Sequence, residues 1–144
     1  MSRRRVPTAA LIGAPTDVGA SERGASMGPE ALRVAGLASR LEEYGMKVVD
    51  RGNLAGPGNP GRAAADGYRH LDEVVFWNRL VHDAVLAELR AQRLPVLLGG
   101  DHSLAVGSIS AITRSSTGFV ARRSGPLSNK KAADPRPAAV TPSG

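Results

Sequence analysis

The residues whose types could do chemistry are concentrated in residues 99–103, which read Gly-Gly-Asp-His-Ser. The two glycines allow the backbone to turn sharply and to approach a ligand closely. Asp101 and His102 supply polar groups that could bind a metal ion or move a proton, and Ser103 could cap a following helix. A turn histidine can equally well do no more than hydrogen-bond its neighbours. A ligand site and a purely structural turn therefore both remain open at this point.

The two other histidines, His70 and His82, lie on or near a long predicted helix. Neither has a second metal-binding side chain at ligand spacing, so we assign them solvated or locally hydrogen-bonded roles without function. The chain contains no cysteine, which excludes disulfides and thiolate metal sites and removes any need for an oxidising compartment. A metal site would have to use histidine and carboxylate ligands.

Three short apolar runs predict the strands that would position this turn. They occupy residues 8–13, 46–49 and 95–98. Frequent glycine and proline predict long connections over residues 14–28 and 51–67. The run 95–98 is typical of a parallel strand covered on both faces.

Apolar residues at three- and four-residue spacing predict helices over residues 29–44, 71–92 and 104–113. Pro29 favours the start of the first helix, and Gly45 favours its end. The first helix has an apolar stripe formed by Ala31, Val34, Leu37, Ala38, Leu41 and Tyr44. The second has one formed by Val74, Trp77, Val81, Ala84, Val85 and Leu89. Alternating strands and helices predict an α/β fold with a parallel sheet, whose strands collect ligands beyond their carboxyl ends.

The stretch around residues 99–103 resembles a known family. Residues 97–109, Leu-Leu-Gly-Gly-Asp-His-Ser-Leu-Ala-Val-Gly-Ser-Ile, are very like the first metal-site motif of arginases, which are ureohydrolases together with agmatinases. The opening segment is similar to that of arginases in Ile12-Gly13-Ala14-Pro15, Arg23-Gly24, Met27-Gly28-Pro29 and Leu32-Arg33. The likeness covers about residues 10–113 and is closer to arginases than to agmatinases.

The resemblance implies a partial three-layer parallel sheet with flanking helices, arginase-like and truncated after the three predicted strands. Members of the family hydrolyse a guanidinium group with water activated by two bridged manganese ions. By resemblance the cofactor is manganese, the substrate is a small guanidino compound such as L-arginine, and the products are ornithine and urea. His102 is the one metal ligand that the resemblance implies for this chain. The resemblance implies no catalytic residue. It further implies a cytoplasmic protein, and an intact relative could form a homo-oligomer.

The chain departs from the family after His102. The family takes its other metal ligands from an Asp-Ala-His-x-Asp motif and an Asp-x-Asp motif, and neither occurs here. No histidine and one acidic residue, Asp134, follow His102. A single imidazole leaves most manganese positions to water, so no bridging hydroxide would form. We therefore expect a truncated or frameshifted arginase that is inactive alone, or a non-catalytic fragment.

The charge distribution separates the end of the chain from the rest. Residues 1–113 hold 13 Lys and Arg against 12 Asp and Glu, and residues 114–144 hold 6 against 1. We predict an arginase-like part over residues 1–114 and a basic, disordered tail over residues 115–144.

The basic tail provides an alternative function, which is binding of an anionic partner. Phe119 is the one aromatic residue near these charges, so base stacking would be minimal and we do not expect a nucleic acid partner. No segment approaches the length of a membrane span, so we expect no membrane contact. Pairing with a separate chain that supplies further strands finds no support in the sequence.

Overall fold

The structure is a computed structural model that describes the backbone of residues 6–123 and the side chains of residues 6–116. Within these residues three strands form one parallel sheet: β1 (Thr8–Ala14), β2 (Lys47–Asn53) and β3 (Leu94–Gly99). Their order in the sheet is β2-β1-β3, so the first strand lies in the middle. The three predicted strands are confirmed, and β2 extends four residues beyond the predicted end at Val49.

The helices of the described residues are α1 (Gly28–Val34), α2 (Leu37–Glu43), α3 (Leu71–Arg90) and α4 (Ala105–Arg123). Short 3-10 turns, Ala25–Met27 and His102–Leu104, precede α1 and α4. Helices α1 and α2 follow β1, whereas α3 and α4 pack against each other. Right-handed crossovers between parallel strands place these two pairs on opposite faces of the sheet. The predicted parallel sheet with flanking helices is therefore confirmed.

The single helix predicted over residues 29–44 is wrong, because the chain forms two short helices there. Gly36 between them has a φ of +82°, which residues with a side chain rarely adopt. The predicted apolar stripe is not a continuous buried face, since Val34 and Tyr44 are 88% and 85% exposed. Helical spacing was correctly detected, but the spacing did not reveal the backbone break.

The core lies between β1 and α3. Residues 9–14 of β1 are buried, and Ile12 and Ala14 of this strand pack in one cluster with Trp77, Val81 and Val85 of α3, which are almost completely buried. Ala111 of α4 completes this cluster. Each large side chain of this kind contributes about 1.5–3 kcal/mol when fully buried. The predicted stripe of α3 is confirmed.

Strand β3 is less covered than predicted. Leu98 is its one buried residue, and Leu94 is exposed. Among the described residues β3 pairs on one side only, with β1, so its other edge is unpaired. A strand with one open edge cannot bury both faces as a central strand does.

Helix α4 continues past the predicted end at Thr113 and past residue 114, through Arg123. Residues 115–123, predicted as the start of a disordered tail, are thus helical. The remainder of that tail lies outside the described residues, and so does its proposed anion-binding role. None of the described helices combines the length and the apolar character needed to cross a bilayer.

Candidate functional site

Two connections meet at the carboxyl end of the sheet. Ala14 at the end of β1 pairs with Gly99 at the end of β3, so the segments that follow these strands begin side by side. The first segment, residues 15–27, is called the glycine loop below. The second, residues 100–104, is called the His102 turn. Their contact creates the surface on which the predicted site residues lie.

The glycines of these two segments allow a very close approach. A Cβ atom on Gly100 would overlap the backbone of Thr16, and a Cβ on Gly19 would overlap the side chain of Ser103. The N–H of Gly19 donates to Oδ2 of Asp101 over 2.9 Å. Gly100, which was predicted to permit a sharp turn, and Gly19 of the predicted connection therefore permit contact between two loops whose bonded residues are 82 positions apart.

Asp101 holds the turn and is not a free ligand. Its Oδ1 atom accepts the N–H of Ser103 over 2.8 Å, and its Oδ2 atom accepts the N–H of Gly19. Asp101 is thus the residue that caps the 3-10 turn. The predicted capping role of Ser103 is wrong, because the hydroxyl of Ser103 is buried without a hydrogen-bond partner among the described residues.

His102 has the opposite environment. It is the first residue of the 3-10 turn, it is exposed, and its imidazole makes no hydrogen bond to any described residue. A fixed backbone with a solvent-facing, unengaged imidazole is able to bind a metal ion or to exchange a proton. Of the two polar residues singled out in the sequence, the structure leaves His102 available.

Asn78 of α3 hydrogen-bonds to the His102 turn and to the start of α4, which the sequence did not indicate. Its Nδ2 atom donates to the carbonyl oxygen of Ser103 over 2.9 Å, and its Oδ1 atom accepts the N–H of Gly107 over 2.6 Å. The N–H groups in the first turn of a helix have no partner within the helix, so Asn78 supplies one for α4 from a neighbouring helix. A single asparagine inside a helical pattern carries no signal of this role.

The sequence also missed His70. This residue is 7% exposed, and its Nδ1 and Nε2 atoms lie 2.8 Å from the carbonyl oxygen of Val18 and 3.0 Å from that of Arg62. Of the expected solvated or locally hydrogen-bonded roles, the solvated one is wrong for His70, and its hydrogen bonds reach beyond its own neighbours to Val18. For His82 the expectation is closer, since its half-buried ring bonds to the hydroxyl of Ser110 on the adjacent α4 over 2.7 Å.

Asp17 shapes the glycine loop from inside. Its carboxylate accepts the N–H of Gly24 and the side-chain amide of Asn59, each over 3.1 Å. The hydrogen bond from Gly24, followed by that from Asn59, lowers the pKa of Asp17 below its usual value against the opposing effect of burial. Asp17 is therefore a charged anchor for the loop that contacts Asp101.

Whether manganese fits this site depends on the side chains that could coordinate it. Among the described residues, no three histidine, aspartate or glutamate side chains lie close enough together to hold an ion. His70 and His82 are engaged in hydrogen bonds, and both oxygens of Asp101 accept backbone N–H groups. His102 remains as a single available donor on this surface. The described residues by themselves do not fit a two-manganese centre.

The fold and the site define a class: an α/β protein with a parallel sheet and a candidate ligand residue on the turn after a strand. Residues 7–121 match the model of the Arginase family. The chain is 38% identical over 104 residues to the arginase of Brevibacillus brevis and 39% identical over 107 residues to that of Staphylococcus aureus strain COL. The chain belongs to the arginase family.

Solved structures agree with this assignment. The arginase of Bacillus caldovelox superimposes with a TM-score of 0.67 at 34% identity, covering 76% of this chain and 37% of that one. The Entamoeba histolytica arginase in complex with L-ornithine gives 0.68 at 25% identity, covering 78% and 38%.

The match covers a larger share of this chain than of its relatives. It includes 72% of this chain but 35% of the Brevibacillus brevis and Staphylococcus aureus arginases. The chain thus spans about a third of the length of the curated relatives it matches.

Proposed function

We propose that this chain supplies the part of an arginase-type ureohydrolase that carries the first metal ligand, His102. The whole activity would be the manganese-dependent hydrolysis of a guanidino compound such as L-arginine to ornithine and urea. The observation that carries the proposal is the geometry of the His102 turn, within residues that match the Arginase family. Asp101 and Asn78 fix the backbone, while the imidazole of His102 stays unengaged and exposed.

We further propose that the chain does not hydrolyse L-arginine by itself. A bridging hydroxide needs two ions, and the chain has three histidines, of which His70 and His82 are engaged. Urea release by the purified full chain, with L-arginine and excess manganese, should equal that of the H102A variant. Manganese-dependent urea release above the H102A level would contradict the proposed inactivity.

The role of His102 is tested in a chimera. Residues 7–121 replace the matching segment of the Brevibacillus brevis arginase, and urea release from L-arginine is measured with added manganese. The chimera should be active, and H102A should lower kcat/KM by at least about 100-fold, since loss of an outer-shell partner alone costs 10–100-fold.

The matched control in the chimera is H82A, which removes a half-buried histidine bonded to α4. This variant should retain the activity of the unmodified chimera, because the ring of His82 contacts Ser110 away from the His102 turn. An inactive unmodified chimera, or a folded H102A chimera with full activity, would refute the proposed role of His102.

A further inference from the structure

One peptide group of the glycine loop is held from both sides. The carbonyl oxygen of Val18 lies 2.8 Å from Nδ1 of His70, and the N–H of Gly19 donates to Oδ2 of Asp101 over 2.9 Å. That carbonyl and that N–H belong to the same planar peptide unit. Polarisation of the carbonyl by a ring N–H strengthens the N–H as a donor, because linked hydrogen bonds reinforce each other. The peptide therefore couples the ring of His70 to the carboxylate of Asp101.

Both nitrogens of the His70 ring face carbonyl oxygens, at Val18 and at Arg62. A carbonyl oxygen can only accept a hydrogen bond, and a neutral imidazole donates from one nitrogen only. Either neutral tautomer would place a ring lone pair against a carbonyl oxygen at hydrogen-bond distance. The form with a proton on both nitrogens satisfies both contacts.

The ring has little freedom to avoid this geometry. His70 is buried and has a φ of +48°, a left-handed conformation that few residues other than glycine adopt. Its backbone carbonyl accepts the N–H of Val74, which fixes the residue to the start of α3. His70 is therefore anchored to a helix while its ring reaches into two loops.

Charged groups line the two cavities that His70 borders. The acids that line the two cavities beside it are Glu22 of the glycine loop, Asp66 of the 54–70 connection, and Asp72 and Glu73 of α3. The cations are Arg23, Arg62 and Arg69, and Tyr68 is the remaining titratable group. The two cavities thus hold four acids and three cations, and Glu73 is paired with Arg62 over 2.6 Å.

From these contacts we infer that doubly protonated His70 is a positioning residue for the His102 turn and acts through the Val18–Gly19 peptide. With a proton on each nitrogen, the ring donates to the carbonyl oxygens of Val18 and Arg62. The first bond fixes the Val18–Gly19 peptide, whose N–H donates to Asp101. Loss of the Nδ1 proton releases the bond to the carbonyl oxygen of Val18 and so loosens the turn. The inference concerns the metal-free chain, so it can fail or succeed independently of the metal role of His102.

The test uses the ¹⁵N-labelled full chain without metal, studied by NMR between about pH 5 and pH 8, where histidine side chains titrate. Both ring nitrogens of His70 should show the protonated signature at the acidic end. The amide signal of Gly19 should move with the same midpoint as the ring. In the H82F control, which removes the half-buried His82 of α3, this movement should persist.

Two variants distinguish the hydrogen bonds of the His70 ring from the packing of the ring. H70F keeps a ring of similar size without N–H donors, so the pH-dependent movement of the Gly19 amide should be lost. H70Q provides amide N–H donors that do not titrate, so the Gly19 signal should stay near its acidic wild-type position at all pH values.

The wild-type spectra decide the matter if H70F does not fold. A His70 ring with one protonated nitrogen throughout the range, a Gly19 amide that ignores the ring titration, or a wild-type chain without a dispersed Gly19 signal would each overturn the inference.

Discussion

Asp101 and His102 are neighbours in the chain, yet of these two side chains only that of Asp101 makes hydrogen bonds to the described residues. Both carboxylate oxygens of Asp101 accept backbone N–H groups, one from its own turn and one from the glycine loop. The exposed imidazole of His102 makes no hydrogen bond to the described residues. The stabilising contacts of Asp101 and the proposed ligand role of His102 thus belong to separate side chains, and substitutions can tell them apart.

We predict that D101A destabilises the chain by about 1–3 kcal/mol, because the N–H groups of Gly19 and Ser103 would lose their acceptor. H102A should change the free energy of unfolding by less than about 0.5 kcal/mol, because its side chain is exposed and unengaged. Urea unfolding of both variants beside the wild type measures the difference. Equal losses in the two variants would show that the turn is held in another way.

Asp17 makes the glycine loop sensitive to acid. Its lowered pKa means that the charged form is stabilised in the folded chain, so this contribution is present above the ordinary pKa of an aspartate. It is lost as the pH falls through the lowered folded-state pKa. The free energy of unfolding should therefore decrease below about pH 4.

In D17N this decrease should be smaller, because the amide does not titrate. Part of the decrease in unfolding free energy at acidic pH should remain, because Asp50 and Glu88 also have lowered pKa values. N59A removes one of the donors to Asp17 and should give an intermediate dependence of the unfolding free energy on pH. Urea unfolding at several pH values provides the measurement, and a D17N slope equal to that of the wild type would contradict the role of Asp17.

At the scale of elements, the contact between α3 and α4 depends on Asn78 as well as on apolar packing. The side chain of Asn78 bonds both to the end of the His102 turn and to the first turn of α4. A Cβ on Gly107 would overlap the backbone of Asn78, so the two helices touch at this point. The pair of helices and the turn between β3 and α4 therefore form one unit.

We predict that N78A lowers the free energy of unfolding by about 1–3 kcal/mol, because it leaves the N–H of Gly107 and the carbonyl of Ser103 without these partners. R79A changes the exposed neighbour on the same helix and should stay within about 0.5 kcal/mol of the wild type. Thermal or urea unfolding followed by circular dichroism compares the two. A larger effect for R79A would place the support of α4 elsewhere.

The elements of the chain were more predictable than their contacts. Apolar spacing located all three strands of the described sheet and the buried stripe of α3, because burial of one face imposes that spacing. The break at Gly36 was missed, since a glycine can end a helix or continue it. The hydrogen bonds of His70 and Asp101 join residues 52 and 82 positions apart, which no local pattern records.

At the scale of the whole molecule, helix α4 presents an apolar face to solvent. Val106 and Ile109 are 68% and 61% exposed, and Val75 of the adjacent α3 is exposed as well. Ala111, on the opposite side of α4, is fully buried. Exposed apolar patches of this kind promote self-association.

We predict that the V106E/I109E double variant stays more monomeric than the wild type at high concentration without loss of stability, since both side chains are exposed. A111E should instead unfold the chain or lower its stability severely, because it buries a charge in the core. Sedimentation velocity and urea unfolding provide the two measurements. Unchanged association in V106E/I109E would exclude this face as the contact surface.

The sheet order has a consequence for synthesis of the chain. Strand β1 is made first but lies between β2 and β3, so one of its edges stays without a partner until β3 has been made. Ala14 and Gly99 are 85 positions apart, which corresponds to roughly 4–17 s at the usual rate of 5–20 residues per second. During that interval an apolar strand is accessible to chaperones or to other nascent chains. The contact between Gly19 and Asp101 can form only afterwards, so the surface that carries His102 is completed only once residue 101 has been made.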